Sequence, residues 1–208
     1  MNGVRHLSIE IGPRCTLTQH HEKCPARLRV VDRPMLSTER IAQTIRSAIL
    51  LGFRGFVGFH FYNEPTLYEE RMAEVMDAVP EARYMLWSNG HSTGLHHRFS
   101  WVNVTSYPDA EFDDRLGNYE GNGWNQACWR PYIECAIDYS GRVALCCQDW
   151  RMEASIADVS QSEPATALYD WYRQAQRVSM GVIPNVCRTC KGGRPEAAYI
   201  HAMREVGM

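Results

Sequence analysis

Cys128, Cys146, Cys187 and Cys190 carry the clearest chemical pattern in this sequence. The first two bracket Gly141, and the last two form a tight Cys-Arg-Thr-Cys knuckle. A CxxC knuckle presents two thiolates to one metal, and folding the chain back on itself would bring the other pair alongside to complete four ligands. Spacing alone suits zinc or an iron-sulfur cluster equally. The plainer alternative is a set of buried free thiols. Two further cysteines of this region, Cys135 and Cys147, read as packing residues of the intervening hairpin.

Bulk properties limit what else the chain can be. A formal charge of −2 gives no electrostatic reason to bind nucleic acid or an anionic membrane. No window approaches the roughly 18 apolar residues of a spanning helix, and the N-terminus lacks the pattern of a secretory signal, so a cytoplasmic protein is expected. In a reducing compartment eight cysteines point to metal or redox chemistry in preference to disulfides.

The elements that must position these residues follow from periodicity. His6 to Ile11 alternates like a strand and runs into a polar loop, Pro13 to Arg27, that carries Cys15, His20, His21 and Cys24. Ser37 or Thr38 can cap a helix with Ile41, Ile45, Ala48 and Ile49 on one face and Gly52 as its stop. Phe53 to Tyr62 reads as a second strand, Asn63-Glu64-Pro65 breaks it, and helical spacing resumes from Leu67 to Val79. On residue type alone, Asn63 caps that helix and Pro65 sits in its first turn. His60, on the strand before it, reads as a core histidine. Tyr84 to Trp87 and Trp101 to Thr105 are the third and fourth strands, joined by a stretch too short for a full helix. Alternating strands and helices argue for a parallel α/β sheet.

Phe112 to Ala127 is polar and rich in Gly and Asn, which places a boundary there. Beyond it, Tyr132 to Ile137 and Val143 to Cys147 flank Asp138-Tyr139-Ser140-Gly141 as a hairpin, and a helix runs from about Ala165 to Val178. Two regions result, about 1–115 and 120–208.

The run CWRPYIECAIDYSGRVALCCQDW, with the later PNVCRTCKGG, resembles the twitch or SPASM appendage of radical S-adenosylmethionine (SAM) enzymes. With no cysteine after Lys191-Gly192-Gly193, the shorter twitch form is the better match, and the resemblance implies one [4Fe-4S] cluster on Cys128, Cys146, Cys187 and Cys190. In SPASM domains a cysteine near Cys135 often ligates, so Cys135 is a substitute ligand. VGFHFYNEPTL resembles the family's Gly-Glu-Pro motif at the end of strand two, with Asn63 in place of glycine. It implies that Asn63, Glu64 and Pro65 help to hold the amino group of SAM. Ser88-Asn89-Gly90 is similar to the Thr-Asn-Gly that often closes strand three.

The N-terminal loop departs from the family's CxxxCxxC signature, because Cys15 and Cys24 are separated by eight residues. A C-x5-H-x2-C reading makes His21 the third ligand of a second cluster, with His20 an equal substitute, since imidazole replaces thiolate on iron in Rieske centres. Zinc on Cys15, His20 or His21, and Cys24 is another reading. Neutral histidine would raise the cluster potential and make reduction of SAM harder.

The resemblance thus implies a shortened partial (β/α) barrel with a small hairpin-plus-helix iron-sulfur domain. Its expected activity is a radical SAM oxidoreductase that abstracts hydrogen from a small molecule or peptide, with an external electron donor and the auxiliary cluster as electron acceptor. The alternative is an iron-sulfur protein that keeps the fold for electron transfer or partner binding. An exposed strand edge in a shortened barrel would give a second copy of the chain a place to dock.

Overall fold

The alternation at the N-terminus produces β1 (His6–Ile9), whose Leu7 and Ile9 are fully buried. In the computed structural model, residues 1–19, 24–28, 32–90, 93–104 and 127–190 are described. A single turn, α1 (Pro25–Leu28), follows Cys24. Helix α2 (Thr38–Leu50) begins where Ser37 accepts the Arg40 N–H on its hydroxyl at 3.1 Å, and it ends two residues before Gly52. Its Ile41, Ile45 and Ala48 form the buried stripe that the spacing anticipates.

Strand β2 is shorter than the sequence suggests, Phe56–Gly58. The reason is local: Asn63 accepts from the Phe61 N–H and donates to the Phe59 carbonyl, both at 3.1 Å, and so draws this backbone out of the ladder. The next helix also differs from expectation. Pro65–Tyr68 is a tight 3₁₀ turn, and only Glu69–Ala78 is α-helical (α3). Glu64, not Asn63, is the cap: its carboxylate accepts from Thr66 N–H, and Pro65 occupies the first turn where its missing N–H costs nothing.

Strands β3 (Arg83–Ser88) and β4 (Trp101–Val104) are joined by a 3₁₀ turn, His96–Arg98, as the short spacing requires. Further on, Tyr132 and Ile133 belong not to a strand but to a one-turn helix, α4 (Arg130–Ile133), because Pro131 starts a turn there. Strand β5 (Glu134–Ile137) pairs antiparallel with β6 (Arg142–Ala144), which pairs with β7 (Ala157–Asp158). The hairpin turn rests on two features. Gly141 has a left-handed φ of 102°, and Asp138 accepts from Ser140 N–H, Ser140 Oγ and Arg142 N–H. Helix α5 (Pro164–Ser179) follows, then a 3₁₀ turn, Asn185–Thr189.

The seven strands form one sheet in the order β4-β3-β2-β1-β5-β6-β7, parallel from β4 to β5. This is a mixed α/β partial barrel, as expected. Strand β1 lies between β2 and β5, so the sheet runs unbroken through both regions read from the sequence. The stretch expected to separate them, residues 112–127, lies outside the described residues except for Ala127. One face of the sheet carries Leu7, Ile9, Val57, Leu86 and Ile137 into a core shared with Ile45, Met72, Val75 and Trp171 of the helices. Neighbouring residues on the strands, Ser8, Gly58, Met85 and Glu134, point to the opposite face. No helix among the described residues is long and apolar enough to cross a membrane.

Candidate active site and cysteine cluster

Glu64, fully buried just past β2, ties three strand ends together through its carboxylate and its backbone N–H. Its Oε1 accepts from Thr66 Oγ1 at 2.7 Å and from Ser88 Oγ, at the end of β3, at 2.9 Å. Its Oε2 accepts the Asn89 backbone N–H at 2.7 Å. The Glu64 backbone N–H in turn donates to the Arg14 carbonyl of the loop after β1 at 2.9 Å. A buried carboxylate without a cation is tolerable when several donors share its charge, and Glu64 has them.

Asn89 extends this hub to the cysteine loop, donating its side-chain amide to Cys15 Sγ at 3.2 Å. Burial pushes the Cys15 thiol up, and the nearby Cys24 and Glu64 work in the same direction. Cys24 is itself buried. Cys15, Cys24, Glu64, Ser88 and Asn89 therefore gather at the carboxyl ends of β1, β2 and β3, where open α/β sheets place their sites. His20 and His21 lie outside the described residues.

A cavity of about 290 Å³ opens beside this hub. Cys15, Asn63, Ser88 and Asn89 form one side of its lining; His60, Trp87, Arg130, Glu134 and Cys147 complete it with Phe61 and Tyr62. Pro65 is buried and is not among the lining residues. A larger cavity of about 410 Å³, lined by Arg5, Phe56, Met85 and Trp101 among others, contains no cysteine and none of the motif residues. Chemistry, not size, marks the smaller one as the site.

Three of the lining groups were not legible as functional. Arg130 Nη1 donates to Cys147 Sγ at 3.2 Å, and Glu134 Oε1 accepts from Ser8 Oγ at 2.9 Å. The Cys147 thiol is pushed up to about 12, chiefly by burial and then by Glu134, with Arg130 opposing. Tyr62 Oη fixes this wall by donating to the Cys147 carbonyl at 2.6 Å. Cys147 is thus a cavity residue and not hairpin packing, the first correction to the cysteine assignments.

Cys146, one residue earlier, belongs to a different neighbourhood. Cys128 packs with Leu145 and Val178, with Cys187 against them. Charge on Cys146 is felt from Cys128, and charge on Cys187 from Cys128, Cys190 and Asp149. The structure so brings the four predicted cysteines into one locality from three chain segments. Trp171 helps to hold it, donating its indole N–H to the Leu145 carbonyl at 3.2 Å. Burial pushes the Cys187 thiol up to about 12 and the Cys146 thiol well above its ordinary value. Among the described residues no three His, Cys, Asp or Glu side chains converge on one metal position. Cys135 lies elsewhere, fully buried in the main core and paired in register with Leu7. Its side chain packs there with the residues of that core.

Two crystal structures share this architecture. BtrN in an open conformation matches with a TM-score of 0.70 at 17% identity, over 96% of this chain and 99% of that one. BtrN in complex with AdoMet and 2-DOIA matches with a TM-score of 0.64 at 14% identity, over 94% and 96%. The chain shares the fold of BtrN. No family model and no curated protein matches the sequence. The Glu64 hub lies where the ends of β2 and β3 meet the loop after β1 that carries Cys15.

Proposed function

We propose that this chain is a radical SAM oxidoreductase in which the cavity of about 290 Å³ takes SAM and a small substrate. One observation carries the reading: the adjacent residues Cys146 and Cys147 face different places. Cys147 lines the cavity, while Cys146 stands in the neighbourhood of Cys128. A substrate oxidised in the cavity is therefore one peptide unit from the auxiliary cysteine set. The BtrN complex with AdoMet supports SAM as the ligand.

The residues fit the groups they would hold. Cys128, Cys146, Cys187 and Cys190 supply four thiols to a [4Fe-4S] cluster. Cys15 and Cys24 supply two ligands of a second, with His21 or His20 as the third. Bound SAM and its cluster supply a carbon radical able to abstract hydrogen. The chain's own part is positioning. Glu64 Oε2, which accepts from Asn89 N–H alone among the described residues, retains capacity to accept from the SAM amino group. Asn89 orients Cys15, and the cavity walls exclude water from the reacting carbon. Cys128, Cys146, Cys187 and Cys190 would hold a cluster able to take up the one electron left by substrate oxidation, the polar wall of Arg130 and Glu134 would face the proton released, and an external one-electron donor would be needed to start the reaction.

A second reading is favoured by the missing third cysteine of the N-terminal loop: an iron-sulfur protein with only the auxiliary cluster. Anaerobic reconstitution separates the two. The enzyme reading expects about eight irons per chain, as two four-iron clusters, and 5′-deoxyadenosine released from SAM under reductant. Four irons and no SAM cleavage would leave only the second reading standing.

A further inference from the structure

The larger cavity, of about 410 Å³, lies toward the opposite end of the sheet from the Glu64 hub, against the starts of the first four strands. His6, Phe56 and Arg83 stand in register where β1, β2 and β3 begin, and Trp101 opens β4. Gly55 lets the first two strands approach: a Cβ there would collide with the Arg5 carbonyl, whose oxygen accepts the Phe56 N–H at 2.8 Å. Arg54 and Phe56 are thereby set beside Arg5.

The lining divides into charge and ring. Arg5, Arg54 and Arg83 all face the cavity, and no carboxylate is among the lining residues. Arg54 is anchored through one nitrogen, its Nη1 donating to the Ile49 and Phe53 carbonyls at 3.0 and 2.8 Å beyond the end of α2. Arg83 lays its guanidinium 4.1 Å from the centre of the Phe56 ring. Both arginines are exposed, and neither forms an ion pair among the described residues, although Glu81 shares a neighbouring cleft with them.

The other wall is aromatic. Trp87 and Trp101 meet edge to face at 5.6 Å between centroids, yet they remain 40% and 43% exposed. Indole side chains are highly buried on average, and apolar surface left open at a cavity wall marks a place for a ligand. Aromatic walls favour a flat apolar partner, and the planar donor forks of guanidinium groups match a carboxylate or a phosphate.

We propose that this cavity is a second ligand site, separate from the one assigned to SAM, which takes a flat aromatic ring carrying an anionic group. The ring lies against Trp87 and Trp101, and the anion against Arg54 and Arg83. Trp87 lines both cavities and is the partition between them. The site stands apart from the oxidoreductase reading, since none of the cysteines or motif residues behind that reading belongs to it.

Calorimetric titration of the reconstituted protein with β-naphthyl phosphate, β-naphthoate and neutral β-naphthol tests it. At least one anion binds, β-naphthol binds at least about tenfold more weakly, and inorganic phosphate at the same concentration does not compete. The tighter anion identifies the charged group as phosphate or carboxylate. Arg83→Gln weakens anion binding about tenfold and leaves β-naphthol unchanged, whereas Trp101→Ala weakens both. In ¹⁵N-tryptophan-labelled wild-type protein, the tighter anion moves the indole N–H signals of Trp87 and Trp101, a readout that needs no variant to fold. Saturating SAM leaves the affinity unchanged. Neither anion binding, β-naphthol or inorganic phosphate binding as tightly, Arg83→Gln binding as wild type, unmoved indole signals, or SAM displacing the anion would overturn the inference. Release of 5′-deoxyadenosine, measured on the same samples, reports on the oxidoreductase reading separately.

Discussion

Asn89 holds Cys15 and Glu64 at once, its side-chain amide on the Cys15 sulfur at 3.2 Å and its backbone N–H on the Glu64 carboxylate at 2.7 Å. The two contacts use different parts of the residue, so substitution separates them. Asn89→Ala keeps the backbone bond and removes only the sulfur contact. Its expected effect is a stability loss of about 1 kcal/mol or less, with iron at the N-terminal site reduced several-fold and auxiliary iron retained. Iron content beside a thermal melt checks this; equal loss at both sites would show that Asn89 supports the whole fold.

Glu64 is a harsher case, because its neighbours are buried with it. Glu64→Ala strands Ser88 Oγ, Thr66 Oγ1 and two backbone N–H groups, and should cost on the order of 2–4 kcal/mol. Glu64→Gln keeps the shape and most acceptors and should cost less than half as much. Urea denaturation measures the ordering, and a Glu64→Ala protein as stable as Glu64→Gln would refute it.

The vicinal cysteines give a paired test. Cys146→Ser should abolish the visible absorption of the auxiliary cluster, while Cys147→Ser leaves it in place and alters only ligand binding in the cavity. Loss of absorption in both variants would mean that Cys147 also ligates.

His60 has a folded-state pKa of about 4, against an ordinary value of 6.5. Between these values the unfolded chain binds the proton and the folded one does not, so stability rises with pH across that window. Its contribution is fully present above about pH 6.5 and is lost as pH falls toward 4. The groups that face it, His6, Glu134 and Glu64, titrate under the same conditions, so the comparison with His60→Phe is what isolates the effect. The variant's urea midpoint should depend less on pH between 6.5 and 4 than the wild type's. Parallel curves would show that His60 binds its proton alike in the folded and the unfolded chain.

Much of the sheet was readable because its signals are local. Alternation found β1 and β3, helical spacing and the Ser37 cap found α2, and Asp138 to Gly141 found the hairpin. The ends of β2 and α3 were misplaced because side chains, Asn63 and Glu64, took over backbone partners that periodicity assigns to ladder or helix. The cavity wall was harder. Glu134 reaches Ser8 across 126 residues of sequence, and nothing near either residue announces the other. Cys146 and Cys147 are indistinguishable by type, and only the path of the chain leaving β6 assigns one to the cluster and the other to the cavity.

The pairing of β1 with β5 also bears on how the protein is made. Residues 6–9 leave the ribosome well before residues 134–137, which form one of their two flanking strands. Until then the most central strand has one edge bare, and long-range pairing of this kind is slow and open to aggregation. Nascent chains therefore carry Cys15 and Cys24 into the cell before the sheet that backs them can close. A growing chain from which residue 134 has not yet emerged is accordingly the species with the barest sheet edge.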